Sequence, residues 1–166
     1  MLLEIRNKFW SITGKSFVKD SEGNEPFLVK GAIFSPRKKK TICDKDGNPL
    51  YTIKNKLFTW WNKQVMIFNF EGEELGRIKK GDFSVTANYQ VIGFDDNYTI
   101  KGPIVSLTKT IFKNDKEVAT IRRNINLFVD KFTLDTQDEE NVALYLAFVI
   151  ALDNIMDRKK KERDRD

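Results

Sequence analysis

Apolar and polar positions alternate with a period of two along most of this chain, and then the pattern stops. The last regular stretch, Val142 to Leu152, is eleven consecutive apolar residues. Period-two alternation marks strands with one buried face. An apolar run read as a helix has no polar stripe, so it cannot lie on a protein surface. It is also shorter than the roughly 20 apolar residues needed to cross a bilayer. The pattern predicts a helix wrapped by protein, and the wrapping available is β.

The strands come as a repeated hairpin. Val18 to Gly23 leads to Phe27-Leu28-Val29-Lys30, Ile42 to Gly47 to Leu50-Tyr51-Thr52-Ile53-Lys54, and Ile67 to Gly72 to Leu75-Gly76-Arg77-Ile78-Lys79. In each, an aliphatic residue sits five before the glycine and an aliphatic-Lys pair begins six after it. A fourth copy, Ile111 to Arg122, turns at Asn114-Asp115, and Asp95-Asp96-Asn97 reads as a further turn. Acid-Gly and Asn-Asp pairs supply the positive φ that tight turns need. Val105, Leu107 and Ile111 alternate with polar residues as another strand, and the last strands are expected over Ile121 to Val129 and Lys131 to Leu134. The count is about twelve. That many antiparallel strands can close into a barrel, which removes exposed edges. Its interior is too wide for side chains alone, and the apolar helix would fill it.

Thr136-Gln137-Asp138-Glu139 fits a capping box, with Asp138, Glu139 and Glu140 in the first turn. The helix is expected from about Gln137 to about Asp157, giving one domain over 1–157 and a solvated charged tail over 158–166.

Composition narrows the chemistry. The chain has 166 residues, a net charge of +5, one cysteine and no histidine. Without histidine, Ser-His-Asp and Cys-His machinery is excluded, and no phosphate-cradling glycine loop or cofactor motif appears. An internal disulfide is impossible, and no signal-peptide pattern opens the chain; the default location is cytoplasmic. Cys43, in a strand, reads as a buried structural thiol. Asp95 and Asp96 lack the spacing of a calcium loop.

Two basic sets are candidates for anion binding. Arg37-Lys38-Lys39-Lys40 is the densest run, expected to be exposed as a phosphate site or as a lysine-guarded strand edge. Lys54, Lys79 and Arg122, with Lys30, recur at one place in the hairpin repeat and would form a basic collar around one rim, joined by Lys56, Lys80 and Arg123; plain solvation of outward strand ends is the other reading. Trp60-Trp61, between Phe58 and Lys63, should place one ring in the core and one outside, as a lid or an interfacial anchor.

The Asp46-Gly47-Asn48-Pro49-Leu50 turn with Ile53-Lys54, the Glu71-Gly72-Glu73-Glu74-Leu75-Gly76-Arg77-Ile78 turn and the helix from Ala143 to Leu152 carry a resemblance. From about Phe9 to about Ile155 the chain resembles the LURP-one-related group of the tubby C-terminal-like superfamily. The resemblance implies a twelve-stranded barrel around a central helix. Phospholipid scramblases are similar to this group, and tubby proteins bind phosphoinositide headgroups through basic residues on the barrel. The palmitoylated cysteine segment and the terminal transmembrane helix of scramblases have no counterpart in this sequence. The expectation is a non-catalytic cytoplasmic barrel, peripheral to a membrane, that binds an anionic phospholipid. A structural or regulatory protein-interaction module is the alternative, and nucleic-acid binding is less favoured because the charge is modest.

Overall fold

A computed structural model describes residues 1–6, 14–31, 35–57, 64–81, 89–102, 107–124 and 131–163, with helix side chains as far as Met156. Twelve strands form a closed antiparallel barrel: β1 (Leu2–Arg6), β2 (Lys15–Asp20), β3 (Phe27–Gly31), β4 (Lys40–Asp44), β5 (Pro49–Asn55), β6 (Gln64–Phe68), β7 (Glu74–Lys80), β8 (Tyr89–Ile92), β9 (Tyr98–Lys101), β10 (Thr108–Lys113), β11 (Lys116–Asn124) and β12 (Lys131–Thr136). Each strand pairs with its neighbours in sequence, and β1 closes the ring on β12. The helix α1 spans Val142–Arg163.

The repeated hairpin is one turn used three times. Asp20, Asp44 and Asn69 each offer a side-chain oxygen to a backbone N–H four residues on, at 2.9, 2.8 and 2.8 Å. Their carbonyls accept from the N–H of Gly23, Gly47 and Gly72, whose φ values are 87°, 89° and 91°. An L side chain at such a φ costs roughly 1–2 kcal/mol, which explains the glycine. At β10–β11 the same role falls to Asn114 and Asp115, with φ of 50° and 64°. Register shifts at Ile42/Cys43, Ile67/Phe68 and Ile111/Phe112 add a bulge before three of these turns. At the first of them Ile42 and Cys43 are both buried, against strict alternation.

Because the strands alternate in direction, these tight turns all lie at one end of the barrel, here the turn end. The helix starts there and runs through the interior to the far end. Tyr145, Leu146, Ala147, Phe148 and Ala151 are fully buried. It lies against β4–β7 and β12. On the other side Phe94 and Tyr98 fill the space, edge-on to Phe148 at 5.5 and 5.3 Å between centroids. Such aromatic pairs contribute about 0.5–1.5 kcal/mol beyond the area they bury.

The helix boundaries differ from the sequence expectation at both ends. Thr136 belongs to β12, and its hydroxyl donates to the Val118 carbonyl at 2.7 Å, so it does not cap a helix. The first helical bond runs from Tyr145 N–H to the Asn141 carbonyl. Asp138 organises this start, accepting from Asn141 N–H at 3.3 Å and from the Tyr145 hydroxyl at 2.6 Å. No acid occupies the first turn. At the other end the helix continues to Arg163, past the expected end near Asp157 and into the charged tail; Lys and Arg are good helix formers and need no burial to extend it. Of the strand expected over Ile121 to Val129, Ile121 to Asn124 belong to β11 and the rest lies outside the described residues, while β12 reaches Thr136. Leu107, placed in a half-buried strand by its alternation, precedes β10 and is 46% exposed; Val105 lies outside the described residues.

Candidate anion-binding site

Strand register decides where each basic residue goes. Inward positions on the odd strands are Val29, Ile53 and Asn55, Ile78, and Ala119 and Ile121, all buried. Lys30, Lys54, Lys79 and Arg122 each follow one of them and face out, toward the far end. Across β5–β7 the outward rows are Lys54 beside Met66 beside Arg77, and Gln64 beside Lys79. Lys56 continues the ladder, its N–H donating to the Gln64 carbonyl at 3.0 Å.

The Arg37–Lys40 run joins this wall, but not as one unit. Ser35 to Lys38 form a turn, closed by the Lys38 N–H on the Ser35 carbonyl at 2.9 Å, with Lys38 at φ 46°. The Arg37 carbonyl accepts from Asn55 N–H at 2.8 Å, which ties the turn to the end of β5. The half-buried Lys38 faces the helix through its carbonyl, which accepts from Asn154 at 3.4 Å. Arg37 and Lys39 are exposed. Lys40 is paired with Ile53, so Lys39 sits next to Lys54.

Lys40 itself corrects the expectation of an exposed run. It points inward, is 8% exposed, and its ammonium meets the buried Asp153 carboxylate of the helix at 3.0 Å. Parity puts it there, two positions before the inward Ile42. Lys80 and Arg123, grouped by sequence with the collar, also share inward parity, with Ile78 and Ile121. Arg123 lies over the Phe132 ring at 5.5 Å and reaches Met156 Sδ at 3.8 Å. Lys109 is inward as well, and burial pushes its pKa down.

The collar is therefore divided. Lys54 and Lys79 stand on one wall with Arg37, Lys39, Lys56 and Arg77. Arg122 on β11 is six strands from β5 in either direction around the ring, on the opposite wall. Its register neighbours are Thr108 and Thr133. Lys30 donates to the Gly47 carbonyl at 3.2 Å and so braces a turn. Trp60-Trp61 lies outside the described residues.

Counter-charges are sparse on the β4–β7 wall. Glu74 pairs with Arg77 at 2.8 Å. No carboxylate pairs with Arg37, Lys39, Lys54, Lys56 or Lys79 among the described residues. Lys54 lies over the Phe68 ring at 4.5 Å. Among the described residues many acids sit elsewhere: Asp20, Asp44, Asp46, Glu71, Glu73 and Asp96 occupy the tight turns at the opposite end. Several are held ionised there. A side-chain hydrogen bond from Asn48, then backbone N–H groups, keep Asp44 below the usual 3.8, and Asn24 does the same for Asp20. Lys113 and Asn114 lower Asp96. The barrel is thus acidic at its turns and basic on one wall toward its far end.

Among the described residues no group of three or more acids, cysteines or histidines could hold a metal ion, and no helix is long and apolar enough to cross a membrane. Cys43 is buried.

The sequence model of the LURP-one-related family matches residues 1–153. The chain belongs to the LURP-one-related family. A solved Arabidopsis thaliana protein structure superposes with a TM-score of 0.56 at 16% identity, covering 92% of this chain and 91% of that one. That likeness extends to the fold, the twelve-stranded tubby-like barrel with its central helix. No curated protein matches the chain at significant similarity.

Proposed function

We propose that this LURP-one-related barrel is a non-catalytic binding protein, and that the outward wall of β4–β7 meets an anionic phospholipid headgroup at a cytoplasmic membrane surface. The observation that carries the reading is the register: it gathers Arg37, Lys39, Lys54 and Lys79 on one wall with no paired carboxylate among the described residues. Strands stand about 4.8 Å apart, so β4 to β7 spread these charges over roughly 15 Å. Such a spread suits several phosphates on a surface better than one small anion. The acids of the tight turns would turn that end of the barrel away from an anionic surface.

The reading predicts co-sedimentation with vesicles containing anionic lipid and none with neutral vesicles. Binding should weaken with salt, because each basic side chain near such a surface contributes about 1 kcal/mol that screening removes. Single-stranded oligonucleotide is the control. Equal retention on oligonucleotide with the same salt slope would mark a general polyanion binder. Retention by neither at low salt would remove the proposal and leave a protein-interaction module.

A further inference from the structure

On the basic wall, β6, β7 and β8 enclose a groove of about 400 Å³ lined by Gln64, Glu74, Arg77, Lys79, Ile92 and Gly93. Two glycines let the end of β8 pack closely against β7 at its edge. A Cβ on Gly76 would stand 2.5 Å from the Ile92 carbonyl oxygen, and one on Gly93 would stand 3.0 Å from Gly76 Cα. Gly93 has φ 98°, so β8 turns away from β7 directly after Ile92.

The groove holds two kinds of group. Arg77 and Lys79 are cationic, and Glu74 offsets one of them through its ion pair with Arg77. One net positive charge remains, which matches a singly charged phosphodiester better than a doubly charged phosphomonoester. Gln64 stands directly opposite Lys79 in the ladder. Its amide oxygen is buried with no hydrogen-bond partner. A buried acceptor left unmade is costly; Gln64 lines the groove, and a turn of its side chain would bring that oxygen to a donor bound there and remove the cost.

We infer that this groove is a headgroup subsite for a phosphodiester that carries a hydroxyl or ammonium donor, with Lys79 on the phosphate and Gln64 selecting the donor. The inference rests on the proposed lipid-binding reading. Ile92, 42% exposed at the groove's edge, gives the apolar side of such a ligand a contact.

The test uses two lipids of equal charge. Phosphatidylglycerol carries hydroxyl donors, and phosphatidylmethanol carries none. The intact protein should prefer phosphatidylglycerol vesicles by about tenfold, equivalent to 1.4 kcal/mol. Gln64→Met should bring the ratio near one. Gln64→Glu keeps an acceptor and should retain a preference, which separates lost selection from a damaged fold. Soluble sn-glycero-3-phosphoglycerol, titrated by calorimetry, distinguishes the source of the ligand. Binding that Gln64→Met weakens supports the site for free and lipid-borne phosphodiester alike. Preference on vesicles without soluble binding supports it as a lipid site. Equal binding of the intact protein to both lipids, or a preference that survives Gln64→Met, overturns the inference and leaves the membrane reading standing. Binding to neither lipid overturns both.

Discussion

Lys40 is a lysine in a basic run that lies inside the barrel. Its ion pair with Asp153 ties β4 to the far half of the helix, with both groups nearly out of solvent. Removing one partner of a buried pair is costly, so Lys40→Met should cost about 3–5 kcal/mol in urea unfolding. Lys40→Met with Asp153→Leu should recover much of that loss, because an apolar pair of similar volume is tolerated. An unchanged midpoint for the single variant would contradict the burial described here. The turn aspartates make a second prediction. Folded Asp20 and Asp44 titrate below the usual 3.8, so their contribution is full above that value and is lost as pH falls through the folded pKa. Stability measured between pH 5 and 2 should fall below about pH 4, and Asp20→Asn with Asp44→Asn should flatten that limb. The sequence displayed the acid-Gly pairs but not this role, since the hydrogen-bonding Asp or Asn stands three residues before each glycine. The spacing Asp20–Gly23, Asp44–Gly47 and Asn69–Gly72 was the signal available.

Strands and helix were legible because each obeys a single period. The hairpins were visible as repeats, and the helix as an apolar run with no exposed face. Boundaries were less legible at Thr136, which ends β12: its hydroxyl donates to the Val118 carbonyl and accepts from Asp138 N–H, ahead of a helix that begins only at Val142. The helix should behave as core through Ile155 and as an appendage beyond. Phe148→Asp should abolish cooperative folding, since an unpaired buried charge costs several kcal/mol against a total of roughly 5–15. Deletion from Asp138 onward should leave insoluble protein, while deletion of 159–166 should change the melting temperature little. A soluble, cooperatively melting truncation at Asp138 would contradict the helix-as-core account. Between β7 and β8, Gly76→Ala places a methyl against the Ile92 carbonyl and the Phe94 ring, each 2.5 Å away. Overpacking of this kind costs about 1–3 kcal/mol, readable as a lower urea midpoint.

The distribution of charge over the barrel was the least legible feature. Composition shows only a modest net charge, and the recurring lysines suggested a collar. Closure of the ring decides the matter, because β11 lies across from β5 and takes Arg122 to the opposite wall. Inward parity removes Lys40, Lys80 and Arg123 from the surface set. What remains outward and close together is Arg37, Lys39, Lys54 and Lys79, with Lys56 and Arg77 beside them. The measurement that tests this most directly compares two variants on vesicles containing anionic lipid. Replacing Arg37, Lys39, Lys54 and Lys79 by Ser should weaken partitioning by roughly 3–4 kcal/mol, two to three decades, at unchanged thermal stability. Replacing Lys19, on β2 beside the first acidic turn, and Arg122, on the opposite wall, by Ser should weaken it far less. Equal losses per charge removed in the two variants would mean that net charge alone drives binding, and would contradict a basic wall built by strand register.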